Sequence, residues 1–319
     1  MDLDVLFLGT AGSSPSPRRG LPATLVRRGG DRLLVDCGEG TQRQLMHSVG
    51  LIELEELLIT HFHADHVLGL PGMLKTFALR QRERELTVYG PPGLRRLFQL
   101  LQPVIGRVTF PITLVELEAN DDLDRDGYRI AAFDVDHGGR GLGFAFVEDP
   151  RPGVFDPVRA RELGLTPGPD FGRVQRGETV DGVRPDQVMG EPRRGRKLVL
   201  SGDTAPCDMT RLVAWEADVL VHEATFLDED AERARETRHS TATGAAELAA
   251  AAGVEMLALT HLSPRYSGGQ IRDEARTAFE NVVVPRDFDR IEIPLPERGG
   301  PALVRASESP PQPLTEEPV

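Results

Sequence analysis

Short apolar runs, separated by glycine, proline and charged residues, recur along the chain and predict its secondary structure. Runs of this length are typical of buried strands, whereas apolar positions three or four residues apart are typical of helices. We predict strands at residues 3–8, 23–27, 32–36, 57–59, 86–89, 112–117, 128–136, 197–200, 219–221 and 256–260. We predict helices over residues 41–48, 67–80, 94–101 and 243–252. The alternation of strands and helices indicates an α/β protein built from packed layers.

Residues 149–196 interrupt this pattern, because proline, glycine and arginine replace any sustained apolar spacing. We predict that this segment, called the arm below, is inserted into the fold and projects from it. Residues 1–300, including the arm, then form one domain. Residues 301–319 are rich in proline and acids, which predicts a disordered tail.

The composition of the 319 residues, 39% hydrophobic and 27% charged, is that of an ordinary soluble protein with a substantial core. Asp2 and Asp4 stand where a signal peptide carries basic residues, and no apolar run reaches the length of a membrane span. We therefore expect a cytoplasmic protein without a membrane partner. Cys37 and Cys207 are far apart, which argues against a disulfide framework or a Cys-rich zinc site.

The net charge of −13 disfavours nucleic acid as a partner, because phosphate groups bind where the potential is positive. The charge is uneven, however. Residues 75–107 contain seven Lys or Arg and two acids, a net charge of +5. Residues 151–197 contain ten Lys or Arg and seven acids, a net charge of +3. A polyanionic substrate is therefore compatible with these two basic segments.

Four side chains suited to metal binding follow the predicted strand 57–59, namely His61, His63, Asp65 and His66. His61 and His63 are two residues apart, so both point to one face of an extended chain and can bind one ion. Asp65 and His66 follow where a helix is about to start and can face a second ion. Imidazole and carboxylate ligands suit Zn²⁺, although Mn²⁺ or Fe would also fit.

Three more predicted strands end close to a metal-binding residue, namely His137, Asp203 and His261. Because layered α/β folds build sites at one edge of a sheet, we expect these residues to join the first four. Seven ligands are too many for one tetrahedral ion and suit two ions with a shared ligand. We predict that His61, His63 and His137 bind one ion, that Asp65, His66 and His261 bind the other, and that Asp203 bridges them. Water held between two such ions would give a hydroxide at neutral pH.

The His-x-His-x-Asp-His signature at 61–66 resembles that of the metallo-β-lactamase superfamily. Segments 7–10, 36–42, 222–225 and 239–241 further resemble one of its branches, the tRNase Z (ribonuclease Z) family. The resemblance covers about residues 2–297. It implies a four-layer αβ/βα sandwich with a flexible arm, two zinc ions per subunit and a homodimer. It also implies a zinc-dependent endoribonuclease that removes the 3′ trailer from precursor tRNA and leaves a 3′-hydroxyl.

The resemblance implies roles for three acid–base residues. Asp65, besides binding metal, would orient and deprotonate the attacking water. His239, supported by Glu223, would protonate the departing 3′-oxygen. A carboxylate beside an imidazole raises its pKa and fixes its orientation, as a general acid requires. Without the family, the better interpretation of His239 is a histidine at a helix start that precedes the Ser/Thr N-cap.

The resemblance also suggests residues that bind RNA. The arm is similar to the family's flexible arm, which grips the tRNA elbow, and its candidate residues are Gly168, Pro169, Phe171, Gly172, Arg193 and Arg194. Arg19 is a candidate in the loop 15–20, where many relatives carry Pro-x-Lys-x-Arg-Asn. Pro17 and Gly20 depart from that pattern, so the position of the cut relative to an encoded CCA is left open.

Two other functions fit the same residues. One is a phosphodiesterase or other hydrolase of small molecules on the same scaffold, for which the arm would be dispensable. The other is an RNA-binding protein with a structural metal site. The second is disfavoured because structural zinc sites are closed and rich in cysteine.

Overall fold

The computed structural model describes residues 1–51 and 54–306, which form two β-sheets flanked by helices. The strands are β1 Leu3–Gly9, β2 Ala23–Arg28, β3 Asp31–Val35, β4 Glu56–Leu58, β5 Leu86–Gly90, β6 Ile112–Glu116, β7 Asp122–Arg125, β8 Tyr128–Asp134, β9 Leu142–Glu148, β10 Lys197–Leu200, β11 Val219–Glu223, β12 Met256–Thr260, β13 Val282–Val283, β14 Arg290–Glu292 and β15 Ala302–Val304. The helices are α1 Thr41–Ser48, α2 Ala64–Val67, α3 Gly69–Leu79, α4 Leu94–Ile105, α5 Pro157–Glu162, α6 Pro169–Gln175, α7 Asp208–Val213, α8 Ala231–Thr237, α9 Ala242–Ala252 and α10 Gly268–Ala275.

The two sheets follow a similar plan. One has the order β15-β14-β1-β2-β3-β4-β5-β6 and the other β13-β12-β11-β10-β9-β8-β7. Each joins antiparallel strands to a parallel block, which is β3 to β6 in the first sheet and β10 to β13 in the second. Strands that run in one direction end at the same edge of their sheet, so the loops that follow them lie together there.

Three hydrophobic cores separate the layers. In β1, Val5 and Phe7 point into the core between the two sheets, and Leu6 and Leu8 point into the core beneath the helices of the first sheet. A third core lies between the second sheet and its helices. Strands buried on both faces carry continuous apolar runs, which explains the sequence pattern. The predicted four-layer sandwich is confirmed.

Several elements differ from the prediction. The helix expected at 67–80 begins earlier, as α2, and continues after Leu68 as α3. The helix predicted to end at residue 101 extends to Ile105, past Pro103. Strands β7, β9, β13 and β14 were not predicted. β15 lies inside the tail that we predicted to be disordered; pairing with β14 stabilises this short strand, so the prediction was wrong for residues 302–304. The rest of the predicted tail, 307–319, lies outside the described residues.

The arm connects β9 to β10 and has a small hydrophobic cluster of its own. Val154 and Gly190 lie side by side at its stem, where Gly190 N donates to Val154 O over 2.9 Å. The buried members of the cluster are Ala160, Leu165, Val174, Val180, Val183 and Val188, all of them arm residues. The arm is therefore an insertion with its own packing, although its sequence lacks a regular apolar period.

A buried ion-pair network ties the base of the arm to the sandwich. Glu148, which ends β9, accepts hydrogen bonds from Nε and Nη2 of Arg196, each at 2.7 Å, and from Nε of Arg28 at 2.8 Å. Arg196 is 2% exposed and also donates to the backbone oxygens of Met1 and Ile293. Burial raises the pKa of Glu148, but the guanidinium groups of Arg196 and Arg28 outweigh burial and hold that pKa at about 2.

We expect Glu148→Gln to lower the free energy of unfolding at neutral pH by about 3 kcal/mol, because Arg196 would be buried without a counter-charge. The folded-state pKa is below the ordinary value of 4.5, so the carboxylate stabilises the fold above that value and loses this effect as the pH falls toward 2. Urea unfolding at neutral pH and at about pH 3 measures the difference between wild type and variant, which should shrink in acid.

The matched control is Glu162→Gln, which breaks an exposed pair with Arg159. It should change the free energy of unfolding by less than about 0.5 kcal/mol. A wild-type advantage over Glu148→Gln that is equal at both pH values would contradict the assignment.

Within the described part of the chain, no helix is long and apolar enough to span a bilayer.

Candidate active site

The ends of four strands bring all seven predicted metal ligands together at one edge of the sandwich. The loop after β4 carries residues 61–66, and β8, β10 and β12 each lead into one more ligand. The candidate ligand atoms lie within 4.8 Å of one another in each of two groups, namely His61, His63, His137 and Asp203, and Asp65, His66 and His261. These are the two predicted sets.

Asp203 contacts both groups through one oxygen. Its Oδ2 lies 3.7 Å from Nε2 of His61, 3.3 Å from Nε2 of His66, 3.8 Å from Nε2 of His137 and 3.2 Å from Nε2 of His261. The side chain is 3% exposed, so this charge is shielded from bulk water. A buried carboxylate oxygen shared between two sets of imidazoles has the geometry of a bridging ligand.

Hydrogen bonds at Nδ1 define the tautomers of His66 and His61. Nδ1 of His66 lies 2.8 Å from Oδ2 of Asp36, which can only accept, so the ring donates there. The hydroxyl of Thr60 donates to Asp36 and therefore accepts from Nδ1 of His61 over 3.0 Å. Both rings thus keep the lone pair of Nε2 for a metal.

His137 and His261 are oriented in the same way. Nδ1 of His137 donates to the backbone oxygen of Arg238 over 2.9 Å. The Thr225 hydroxyl donates to Glu223 over 2.7 Å, so it accepts from Nδ1 of His261 over 2.8 Å. Both rings therefore carry their lone pair on Nε2, which lies 3.2 Å from Nδ1 of His63 in His137 and 3.3 Å from Oδ2 of Asp65 in His261, among the other ligand candidates.

The donor set fits a divalent metal. Nε2 of His61 and Nε2 of His66 are buried and have no hydrogen-bond partner among the described residues. Burial, with His66 nearby, lowers the pKa of His61 to about 2, so this ring is neutral at pH 7. Buried imidazole nitrogens without partners are costly unless a cation occupies the space between them. The residues thus support binding of a divalent metal.

Two residues of this cluster have backbone conformations that are uncommon outside glycine. Asp36 and His261 have positive φ angles of 61° and 57°. A Cβ on Gly12 would lie 2.5 Å from Nδ1 of His261, so only glycine allows this approach. The neighbouring amide of Ser13 donates to Oδ2 of Asp65 over 2.8 Å. The loop after β1 therefore positions two metal-ligand candidates.

Asp36 is a site residue that sequence reasoning missed, although it belongs to one of the motifs noted above. We expect Asp36→Asn to weaken metal affinity about 10–100-fold, because the amide can still accept from Thr60 but cannot accept from Nδ1 of His66. Competition with a chelator measures the affinity. Asp122→Asn, on an exposed position, is the control, and equal affinities in the two variants would contradict this role.

The buried Glu223 and the partly buried His239 form a pair beside the metal-ligand candidates. Nδ1 of His239 donates to Oε1 of Glu223 over 2.6 Å. Glu223 also accepts from the amides of Thr204 and Thr225, so its carboxylate is held in one orientation. Burial lowers the pKa of His239, but the Glu223 carboxylate outweighs it and raises the pKa above the ordinary value. His239 also forms a third group of potential ligands with Asp203 and His261.

The predicted RNA-binding residues of the arm have structural contacts. Gly168 has a φ of 116°, which favours glycine, and Pro169 is the first residue of α6, which contains Gly172. The ring of Phe171 packs against Phe155 with 4.9 Å between centroids. These residues shape the arm, and their contact with a substrate stays a prediction.

The predicted RNA-binding arginines are also engaged. Arg193 pairs with Glu297 over 3.1 Å, and Arg194 pairs with Asp218 over 2.7 Å. Arg19 donates to the Thr10 hydroxyl and to a backbone oxygen. Their roles in binding also stay predictions.

Known proteins with similar sequences cover nearly the whole chain. A sequence-family model described as the metallo-beta-lactamase superfamily matches residues 18–261. Ribonuclease Z of Gemmatimonas aurantiaca is 46% identical over 307 residues, which are 93% of this chain and 98% of that protein. Ribonuclease Z of Methanosarcina acetivorans is 42% identical over 300 residues, which are 92% of this chain and 98% of that protein.

Solved structures give the same result for the fold. The crystal structure of human tRNase Z, short form, superposes with a TM-score of 0.66 at 29% identity and covers 91% of this chain and 99% of that one. The metallo-beta-lactamase fold protein YhfI from Bacillus subtilis superposes with a TM-score of 0.69 at 19% identity. It covers 92% of this chain and 100% of its own chain, and it shares the fold.

Proposed function

This chain belongs to the ribonuclease Z family of the metallo-beta-lactamase superfamily, and on that basis we propose that it is a zinc-dependent endoribonuclease that removes the 3′ trailer from precursor tRNA. The observation that carries the proposal is the convergence of imidazoles from two ligand groups on Oδ2 of Asp203. A bridged pair of ion sites suits phosphodiester hydrolysis better than a structural role.

The residues would hold two zinc ions per subunit. His61, His63 and His137 would bind one, Asp65, His66 and His261 the other, and Asp203 would bridge them. When bound, such ions lower the pKa of water and stabilise negative charge on phosphoryl oxygens. Mn²⁺ or Fe would suit the same imidazole and carboxylate ligands.

Asp65 would orient the attacking water and take its proton. Its Oδ2 accepts a hydrogen bond from the Ser13 amide over 2.8 Å and lies 3.3 Å from Nε2 of His261. Because these contacts use Oδ2, Oδ1 is available to accept a hydrogen bond from water. The water oxygen bonds to phosphorus, and the bond between phosphorus and the 3′-oxygen of the tRNA breaks.

His239 would protonate the departing 3′-oxygen through Nε2, which yields a 3′-hydroxyl on the tRNA and a phosphate on the trailer. Glu223 holds Nδ1 of this ring, favours its protonated form and so keeps a proton available at Nε2 near neutral pH. A carboxylate–imidazole pair of this kind supports general-acid catalysis, in agreement with the family resemblance.

The arm supports a large substrate. It adds residues between β9 and β10 that pack among themselves, and a hydrolase of small molecules has no use for such a projection. As a family member, the protein is expected to bind the tRNA elbow through the arm, with Gly168, Pro169, Phe171, Gly172, Arg193 and Arg194 as candidate contacts.

The experiment that tests the function is cleavage of two labelled precursor tRNAs, with and without an encoded CCA. Zinc-loaded wild type should make a single cut next to the acceptor stem, and Asp65→Ala should lose it. Mapping the cut also resolves the question raised by Pro17 and Gly20. Hydrolysis of a small phosphodiester by an enzyme that leaves both RNAs intact would contradict the proposal and favour a small-molecule hydrolase.

We also propose a homodimer in the cytoplasm. Leu100 and Val104, one helical turn apart on α4, are 67% and 73% exposed, and an apolar face of this kind suits contact with a second copy. The location follows from the proposed substrate. Light scattering in solution, comparing wild type with Leu100→Glu, tests the dimer, and a wild-type monomer would contradict it.

A further inference from the structure

A cleft of about 1540 Å³ opens directly beside the candidate active site. Ala11 and Leu262, which are joined by a β-bridge, form part of its wall. Each is the chain neighbour of an active-site residue, Gly12 and His261 respectively. This wall of the cleft is therefore continuous in the backbone with two residues of the active site.

The cleft is strongly basic in a chain whose net charge is −13. Eight arginines and two acids line it, a balance of +6. Four of the arginines are exposed and make no side-chain hydrogen bond or ion pair with any residue in 1–51 or 54–306, namely Arg18, Arg43, Arg276 and Arg286. Free guanidinium groups around a concave surface attract and hold phosphates.

An aromatic platform lies in the same cleft. The rings of His47 and Phe288 are stacked, with 4.8 Å between centroids and 27° between planes. His47 is exposed at the end of α1. Phe288 has a φ of 70°, which is unfavourable for a bulky residue and is held here by the fold. Such a stacked pair offers a flat face on which an unpaired base can stack.

We propose that this cleft binds the single-stranded 3′ trailer of the substrate RNA, with arginines on its phosphates and a base stacked on His47 and Phe288. Proteins recognise unpaired RNA by stacking and follow its backbone with positive charge, whereas the bases of a duplex are not available for stacking. The inference deepens the proposed function and rests on it, because it assigns a place to the part of the RNA that is released.

The test uses zinc-loaded enzyme and precursor tRNAs whose trailers range from one to about ten nucleotides. For wild type, kcat/KM should rise with trailer length. The double variant Arg43→Ala/Arg286→Ala should lose most of that rise, about tenfold for the longest trailer, and should cleave the shortest precursor like wild type. The slope of log(kcat/KM) against log salt should fall by about 1.4, because each single-strand phosphate that an arginine no longer neutralises lowers it by about 0.7.

The matched control is Arg95→Ala/Arg96→Ala, which removes the same charge from the exposed part of α4 outside the cleft lining. It should keep the dependence on trailer length. His47→Ala should reduce the rise without changing the salt slope, because it removes a stacking surface and leaves the arginines in place.

Three results would overturn the inference. The first is a wild-type kcat/KM that does not depend on trailer length, and the second is an Arg43→Ala/Arg286→Ala variant that keeps the full rise. The third is a loss of kcat/KM in that variant that is equal for every trailer length, which would assign the cleft to the acceptor stem. Each differs from failure of the proposed function, in which wild type would leave all precursors uncut.

Discussion

Replacing Asp203 by alanine is expected to remove metal from both ligand groups and to lower kcat/KM on precursor tRNA by about 10³-fold or more. The side chain is 3% exposed, and its Oδ2 lies within 3.8 Å of imidazoles from both groups. Without this side chain, the buried histidines would have no carboxylate in common, and the two ion sites would lose their shared ligand. Metal content per chain, measured by atomic emission, is the direct test.

Thermal unfolding gives a second readout of the same variant. Because a ligand that binds only the folded state stabilises it, a chelator should lower the Tm of wild type but not that of Asp203→Ala. Asp203→Asn keeps the side-chain volume and serves if the alanine variant folds poorly. Asp208→Ala, at a position 87% exposed, is the control. Two metals per chain in both Asp203 variants would contradict the bridging assignment.

Replacing His239 by alanine is expected to lower kcat on precursor tRNA about 10²-fold with metal content unchanged, because the leaving 3′-oxygen loses its proton donor. The same variant should be much less impaired on a small phosphodiester with a good leaving group, which departs without protonation. This contrast between two substrates separates a general acid from a residue that only supports the fold.

The competing role for His239 is that of a metal ligand, since it lies in a group with Asp203 and His261. Loss of zinc in His239→Ala would establish that role and contradict the acid assignment. His47→Ala provides a control for a histidine outside the metal-ligand cluster, and its metal content should match that of wild type.

The metal-ligand candidates could be identified from the sequence because each stands at or shortly after the end of a buried strand. Apolar runs located the strands, and the side chains that follow them in a layered α/β fold meet at one edge. Both predicted ligand sets recur as spatial groups in the structure. Their roles as ligands stay a prediction.

The residues that orient these candidates could not be identified in this way. Asp36 contacts His66 across 30 positions of sequence, and Thr225 contacts His261 across 36. The backbone oxygen of Arg238 reaches His137 across 101 positions. Every residue has a backbone oxygen, so the sequence does not show which one accepts a hydrogen bond from a histidine. Asp and Thr are too common at strand ends for residue type alone to identify them as such partners.

The basic cleft illustrates the same limit for charge. The basic segments found along the sequence, 75–107 and 151–197, contain none of its free arginines. Within the second segment, Arg193, Arg194 and Arg196 pair with carboxylates around the base of the arm. Counting charged residues along the sequence detects only charges that are neighbours in the chain. The potential at a surface also depends on charges from distant segments and on which arginines are already paired with carboxylates.

The sequence by itself therefore determined the layered α/β class, the inserted arm and the seven metal-ligand candidates, because local apolar runs and short motifs encode them. Only the tertiary structure decided which tautomer each imidazole adopts, which arginines are free, and that β15 extends the first sheet. Those properties depend on hydrogen bonds and ion pairs between segments far apart in the chain, and they arise only when the two sheets pack together.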